Sequence, residues 1–270
     1  MSFLPRVYVT LAFSVLAVFS AAAQILNVEK SRVEKDSSNY FTGKVGLDFS
    51  LFNRANTDEG PGQTDHYLGI TGNGNIGYVS DENTYLLLAS YNYVRLHGQP
   101  EVETGYIHGR VTLRRKKLVS YELYSQVQYD HNRGLEPRAL VGAGVRFSVV
   151  RTNSLALHLG TGVMYEHERW LNAETNTYIT KNLPKLSNYV SIRLPINPYL
   201  ELNTIHYYQV GYDNGEDVVR HRISGDIAFT IKMTNRLQLS TSFSHTYENR
   251  PIVPIPKYLY SLTNGIQVTF

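Results

Sequence analysis

The sequence predicts an all-β fold, a closed antiparallel transmembrane β-barrel of about 12 strands preceded by a cleaved signal peptide, and three observations lead there. Apolar residues recur at every second position through most of the chain, which is the periodicity of a strand. Beyond the N-terminal leader no apolar run is long enough to cross a bilayer as a helix, so a membrane form of this chain must bond its backbone between strands. The outward half of the alternation is too apolar for water: Leu155, Leu157, Leu159, Val163 and Tyr165 share one face of a single run. A soluble β-sandwich or lipocalin-like barrel would alternate as well. It would leave such faces as large apolar patches in water, and its strands would be shorter, about 5 to 6 residues on average.

The N-terminus carries Arg6, then the apolar run Val7 to Phe19, then Ala21-Ala22-Ala23-Gln24. That order is a secretory signal with a small-residue cleavage site after Ala23. The run is too short for an anchor, since a spanning helix needs roughly 20 residues. The domain reading is therefore signal peptide 1–23, periplasmic lead-in 24–38, rich in charged and polar residues, and barrel 39–270.

Composition narrows the class. There is no cysteine, so the chain gains nothing from disulfides and is not a lipoprotein anchored through a lipid-bearing Cys. Lys plus Arg number 26 against 23 Asp plus Glu. Cleavage would remove Arg6, leaving 25 − 23 = +2, and nothing in that balance calls for nucleic acid. The 21 tyrosines suit a membrane interface, where a ring with one polar end is at home.

Taken in order, Phe41, Val45, Leu47, Phe49 and Leu51 form the apolar face of a first strand, with Lys44, Asp48 and Ser50 opposite. Further strands are predicted near 63–79, 84–96, 102–115, 118–130, 136–150, 154–168, 185–194, 199–210, 219–232, 236–248 and 257–270. The connections alternate. Those near 54–62, 97–101, 131–135, 169–184, 211–218 and 249–256 are mostly longer than those near 80–83, 116–117, 151–153, 195–198 and 233–235. Short turns at one end and longer loops at the other, with an even strand count, fit an outer-membrane barrel with both ends of the chain in the periplasm. Pro251, Pro254 and Pro256 stiffen the last long loop. No fixed-length repeat points to a solenoid or propeller.

The final stretch is a two-faced strand. Tyr258, Tyr260, Leu262, Ile266, Val268 and Phe270 share an apolar face, against Lys257, Ser261, Thr263, Gly265, Gln267 and Thr269. A terminal Phe closing such a strand resembles the signal by which bacterial outer-membrane proteins are handed to their insertion machinery. Tyr258, Tyr260, Ile266, Val268 and Phe270 are the residues to which that role is assigned.

Three further stretches carry a family resemblance: Tyr121-Glu122-Leu123-Tyr124-Ser125-Gln126-Val127-Gln128-Tyr129, Arg138-Ala139-Leu140-Val141-Gly142-Ala143-Gly144-Val145-Arg146-Phe147, and Gly160-Thr161-Gly162-Val163-Met164-Tyr165-Glu166. Together they resemble strand patterns of the domain-of-unknown-function family DUF481, the salt-induced outer-membrane protein group, over residues 40–270. The resemblance implies an outer-membrane β-barrel of a Gram-negative envelope without an established biochemical activity.

Even-numbered positions of these stretches put Glu122, Gln126, Gln128, Arg138, Arg146, His158, Glu166 and Glu168 on one face with Arg110, directed into the lumen. Turns centred on Lys116 and Thr152 place Arg110 opposite Glu122, Arg138 opposite Glu166 and Arg146 opposite His158. Two readings follow. Either these charges neutralise one another and fill the lumen, in a structural or stress-related envelope protein, or they line a narrow passage that selects a small polar solute. Gly142, Gly144, Gly160 and Gly162 leave space for either. A lipid hydrolase is the third class, and it is disfavoured: Ser244 points inward while His245 points outward, so they cannot act as nucleophile and base. His206, His221 and His245 are scattered without zinc-ligand spacing, so neither a metal nor a cofactor is expected. The expected partners are outer-membrane lipid and the insertion machinery.

Overall fold

The computed structural model describes residues 39–55, 64–96, 98–234 and 237–268. The leader 1–23, the lead-in 24–38 and Phe270 lie outside the described residues, as do the side chains of Ile266 and Val268. Twelve strands follow one another: β1 (Tyr40–Ala55), β2 (Thr64–Val79), β3 (Thr84–Leu96), β4 (Gln99–Leu113), β5 (Val119–Asp130), β6 (Leu135–Arg151), β7 (Ala156–Asn172), β8 (Thr177–Asn197), β9 (Leu200–Asp213), β10 (Val218–Lys232), β11 (Leu237–Glu248) and β12 (Tyr258–Val268). They form one antiparallel meander in sequence order. The shortest, β12, has 11 residues and the longest, β8, has 21. A tilted strand crosses a bilayer with about 9–11 residues, so each of the twelve is long enough.

Alternation sorts the side chains onto two unlike faces. On β5, β6 and β7 the even-numbered residues turn inward; on β8 and β9 the odd ones do, and β10 returns to even. The inward positions hold most of the buried polar and charged groups, among them Glu122, Arg138, Lys185, Gln209 and Arg222. The outward positions are apolar and bare: Val45 is 81% exposed and Phe41 77%. Burial is thus inverted relative to a soluble domain.

The sheet is strongly curled, because side chains of remote strands meet across its concave face. Arg110 of β4 donates to the Tyr207 hydroxyl of β9 at 3.3 Å, and Tyr189 of β8 donates to Glu122 of β5 at 2.8 Å. It is not closed: among the described residues no ladder joins β1 to β12, and they are its two edges. The antiparallel β-sheet is therefore as expected, and the closure predicted from the sequence is not part of this structure.

Two connections differ from the sequence reading. The expected loop 169–184 is mostly strand, since β7 runs to Asn172 and β8 begins at Thr177, leaving a turn at 173–176. The connection 97–101 shrinks to 97–98. The two longest connections, 56–63 and 249–257, lie at the end expected to carry long loops, but the other four there are no longer than the turn 114–118 at the opposite end. The former end is marked by the projecting β7–β8 hairpin and by the segment 249–257.

Candidate functional site

The site is the concave face, and it is built in layers. Nearest the end that carries segment 249–257 is an apolar cluster in which Leu135 of β6, Trp170 of β7 and Val253 pack together with Ile179, Ile252 and Ile255 beside them. Val253 sits between β11 and β12, so this segment reaches across the mouth to strands on the other side. It is fastened by hydrogen bonds from Asn249 N to His221 O (3.2 Å), from Glu248 N to Lys257 O (2.8 Å), and from Arg220 to the Arg250 carbonyl.

Below it lie two groups of charge. Lys181 Nζ contacts Asp213 Oδ2 at 2.9 Å and Glu216 Oε1 at 2.6 Å, and Arg220 reaches the same two carboxylates at 2.9 and 2.7 Å. Deeper in, Glu166 is 1% exposed and Glu168 2%. Glu166 is held by Arg138, by Lys185 and by Arg222 (2.8 Å). Glu168 is held by Arg222 at 2.7 Å and Arg138 at 3.3 Å, and Arg222 Nε also reaches Glu248 at 2.9 Å. Each group is neutral as a unit: Lys181 and Arg220 face Asp213 and Glu216, while Arg138, Lys185 and Arg222 face Glu166, Glu168 and Glu248. In the deeper group, ions as far from water as Glu166 and Glu168 persist only when paired in this way.

The middle layer is tyrosine and amide. Arg110 lies 3.7 Å from Glu122 and over the ring of Tyr124. His108 Nδ1 contacts Gln126 Oε1 at 3.1 Å; Gln126 donates to Gln128 Oε1, which also accepts from Arg138 at 3.2 Å. A cavity of about 60 Å³ remains here, bordered by Arg110, Glu122, Tyr189, Tyr207 and Gln209, with room for a few water molecules. Gly144 and Gly162 border this cavity, but Gly142 and Gly160 leave no open space. A Cβ on Gly142 would fall 2.4 Å from the Tyr124 ring and one on Gly160 2.0 Å from the Tyr189 ring, so tyrosines from neighbouring strands lie across them.

Residues 62–252 match the family described as "Protein of unknown function, DUF481". The chain belongs to the DUF481 family. No curated protein matches it. Among solved structures it is similar to the NanC porin, at 9% identity with a TM-score of 0.44, covering 75% of this chain and 94% of that one. It is also similar to a variant of the ferric enterobactin receptor PfeA from Pseudomonas aeruginosa (10% identity, TM-score 0.38, 86% of this chain) and to the copper transporter OprC (11%, 0.28, 86%). This DUF481 chain spans 42% and 44% of the lengths of those last two.

All of the residues expected to face the lumen of this DUF481 chain turn inward, but their pairing differs. Arg110 lies opposite Tyr124 and Glu122 opposite Thr112, so Arg110 meets Glu122 diagonally. The last pair of β4 and β5 is Leu113 with Tyr121, so the turn, which holds Arg114 in the left-handed region at φ 57°, is centred on Lys117 rather than Lys116. Likewise Arg138 lies opposite Glu168, and Glu166 opposite Leu140. Arg146 lies opposite Gly160, not His158, which faces Ser148. A bulge between Ser148 and Val150 and a turn over 152–155 shift that register. Sequence reasoning missed Lys185, Arg222, Glu248, Tyr189 and Tyr207. Their signal was present in the alternation of β8 to β11, where Lys181, Lys185, Arg220 and Arg222 occupy inward parity. On the outward face His206 and His245, remote in sequence, are brought within 3.3 Å of each other. Of the residues expected to form an assembly signal, Tyr258 and Tyr260 are exposed on the outward face.

Proposed function

We propose that this protein is an outer-membrane β-barrel of the Gram-negative envelope whose lumen is largely filled by its own charges, with a structural or stress-related role. The observation that carries this reading is the inverted burial. A wall of bare Val, Leu, Phe and Tyr has no reason to exist in water, and lipid is the partner that suits it. In that setting the edges β1 and β12 must satisfy each other's backbone groups, so the barrel closes between them. The leader 1–23 directs export, and the insertion machinery recognises the last strand through Tyr258, Tyr260, Ile266, Val268 and Phe270. Segment 249–257 caps the external mouth. The lumen network of Arg110, Glu122, Gln126, Gln128, Arg138, Arg146, His158 and Glu166, extended by Lys185, Glu168, Arg222 and Glu248, replaces a hydrophobic core. No catalytic role is assigned to any residue.

Neutrality within each of the two charge groups favours filling over selection, because a selective passage keeps a row of one sign exposed to its solute. The cavity beside Arg110 and Glu122 is the observation that favours the second reading, a narrow pore for a small polar solute. Planar-bilayer recording with the purified protein separates the two. The filled barrel gives no sustained conductance steps, and steps whose ion preference shifts in Glu166→Gln would overturn it. Carbonate-washed outer membranes should retain the protein; recovery as a soluble periplasmic species would refute the location.

A further inference from the structure

The geometry points to a binding site for one divalent transition-metal ion on the outward wall of β9, β10 and β11, with His206 and His245 as its protein ligands. The site is built by register. His206 pairs with Gly225 and Gly225 with His245, so the two imidazoles share one row with a glycine between them. A Cβ at position 225 would lie 2.3 Å from His206 Nδ1. The His206 ring therefore uses the space that any side chain would fill, and its Nδ1 comes within 3.3 Å of His245 Nε2.

The hydrogen bonds around His206 decide which nitrogen is bare. The Thr204 hydroxyl donates its one hydrogen to the Asp226 carbonyl at 2.9 Å. Its 2.9 Å contact with His206 Nε2 must then be an N–H donation from the ring. Neutral His206 thus carries a lone pair on Nδ1, directed at His245, and its other nitrogen is anchored in the manner of metal-binding imidazoles. Without a metal, the Nε2 proton of His245 bridges the gap. With one, that proton resides on Nδ1 of His245 and both bare nitrogens face the ion. Bonds of about 2.0–2.1 Å at a tetrahedral angle separate two nitrogens by about 3.3–3.4 Å, which is the spacing here. The rings of Phe243 and Tyr258, at 5.9 and 6.3 Å, flank His245. Both histidines are half-buried, and His245 lies beside the exposed Tyr258 and Tyr260, rings that suit the headgroup region, where water reaches the remaining coordination positions. Two imidazoles and water suit Cu²⁺, Ni²⁺ or Zn²⁺ and not Mg²⁺ or Ca²⁺.

The test uses the full chain, purified in detergent without a histidine tag, titrated with Cu²⁺ and followed by electron paramagnetic resonance. One ion per chain with two nitrogen donors is expected, unaffected by excess Mg²⁺ and displaced by Zn²⁺ only in large excess, since Cu²⁺ binds nitrogen donors more tightly. His206→Ala and His245→Asn should each weaken binding at least tenfold, and Gly225→Ala should do so with both histidines still present. His221→Ala should leave it unchanged, and the emission of Trp170 reports that each variant is folded. Absence of binding to the folded wild-type chain, or binding that survives His206→Ala and His245→Asn, would overturn the site. These outcomes are read on the purified chain and are separate from the membrane retention that tests the outer-membrane reading.

Discussion

Glu166 is in contact with Arg138, Lys185 and Arg222 while almost none of it meets solvent. Glu166→Gln removes the charge that all three cations share but leaves their desolvation in place. Breaking a buried pair costs about 3–5 kcal/mol, and this variant should lie in that range by urea unfolding in detergent. Arg138→Met is milder, because Lys185 and Arg222 still hold Glu166. The cycle formed with Glu166→Gln should show coupling above about 1 kcal/mol, and strict additivity would mean that the two do not touch or that water screens them. Gly160 gives a steric counterpart. The ring of Tyr189 lies over it and hands its hydroxyl to Glu122. Gly160→Ala must push that ring aside, at about 1–3 kcal/mol for an overpacked site. Gly74→Ala, where nothing lies within 4 Å of an added Cβ, is the control and should be close to neutral.

At the scale of elements, segment 249–257 acts as a strap. Its prolines fix φ at three positions, and Val253 packs in one cluster with the cross-strand pair Leu135 and Trp170. Trp170 is the one tryptophan of the chain and is 2% exposed, so its emission reports the strap directly. Val253→Asp should shift that emission to the red and admit acrylamide while the strands stay intact by circular dichroism. An unshifted spectrum would show that the strap does not seal Trp170. The same region shows what the sequence could not display. Strand parity was legible in Glu122, Arg138 and Glu166 because a period of two survives any shift of register by two. Pairing was not, because it depends on how many residues a turn holds, and neither the left-handed Arg114 nor the bulge after Ser148 leaves a mark in the alternation. The alternation does not display the projecting part of β7 and β8 for a related reason. Past Trp170 its outer face holds apolar bulk only in the Leu171–Tyr178 pair, so Asn172 to Lys181 carry too little alternation to recognise.

For the whole molecule, the decisive question is the seam. Twelve antiparallel strands put the start of β1 and the end of β12 at the same end of the sheet, and the two edges run antiparallel, as closure requires. Phe41, Val45, Leu47, Phe49 and Leu51 make the outward face of β1 almost wholly apolar, and Tyr258, Tyr260 and Leu262 do so for β12. An open edge between two such faces would leave unbonded backbone groups in hydrocarbon, at several kcal/mol each. The absence of native cysteine allows the seam to be tested without background. Outward residues of β1 must meet outward residues of β12, so Phe49→Cys should be combined in turn with Tyr260→Cys, Leu262→Cys and Asn264→Cys. In outer membranes, oxidation should link Phe49→Cys to one of these, or at lower yield to two successive ones, and the linked form should keep its compact migration after heating. Pairing Phe49→Cys with Leu259→Cys or Ser261→Cys, which point to the other face, should give no link. A series with no link at any outward position would mean that β1 and β12 remain apart in the membrane, and the outward wall would then need a second chain rather than its own edge to complete it.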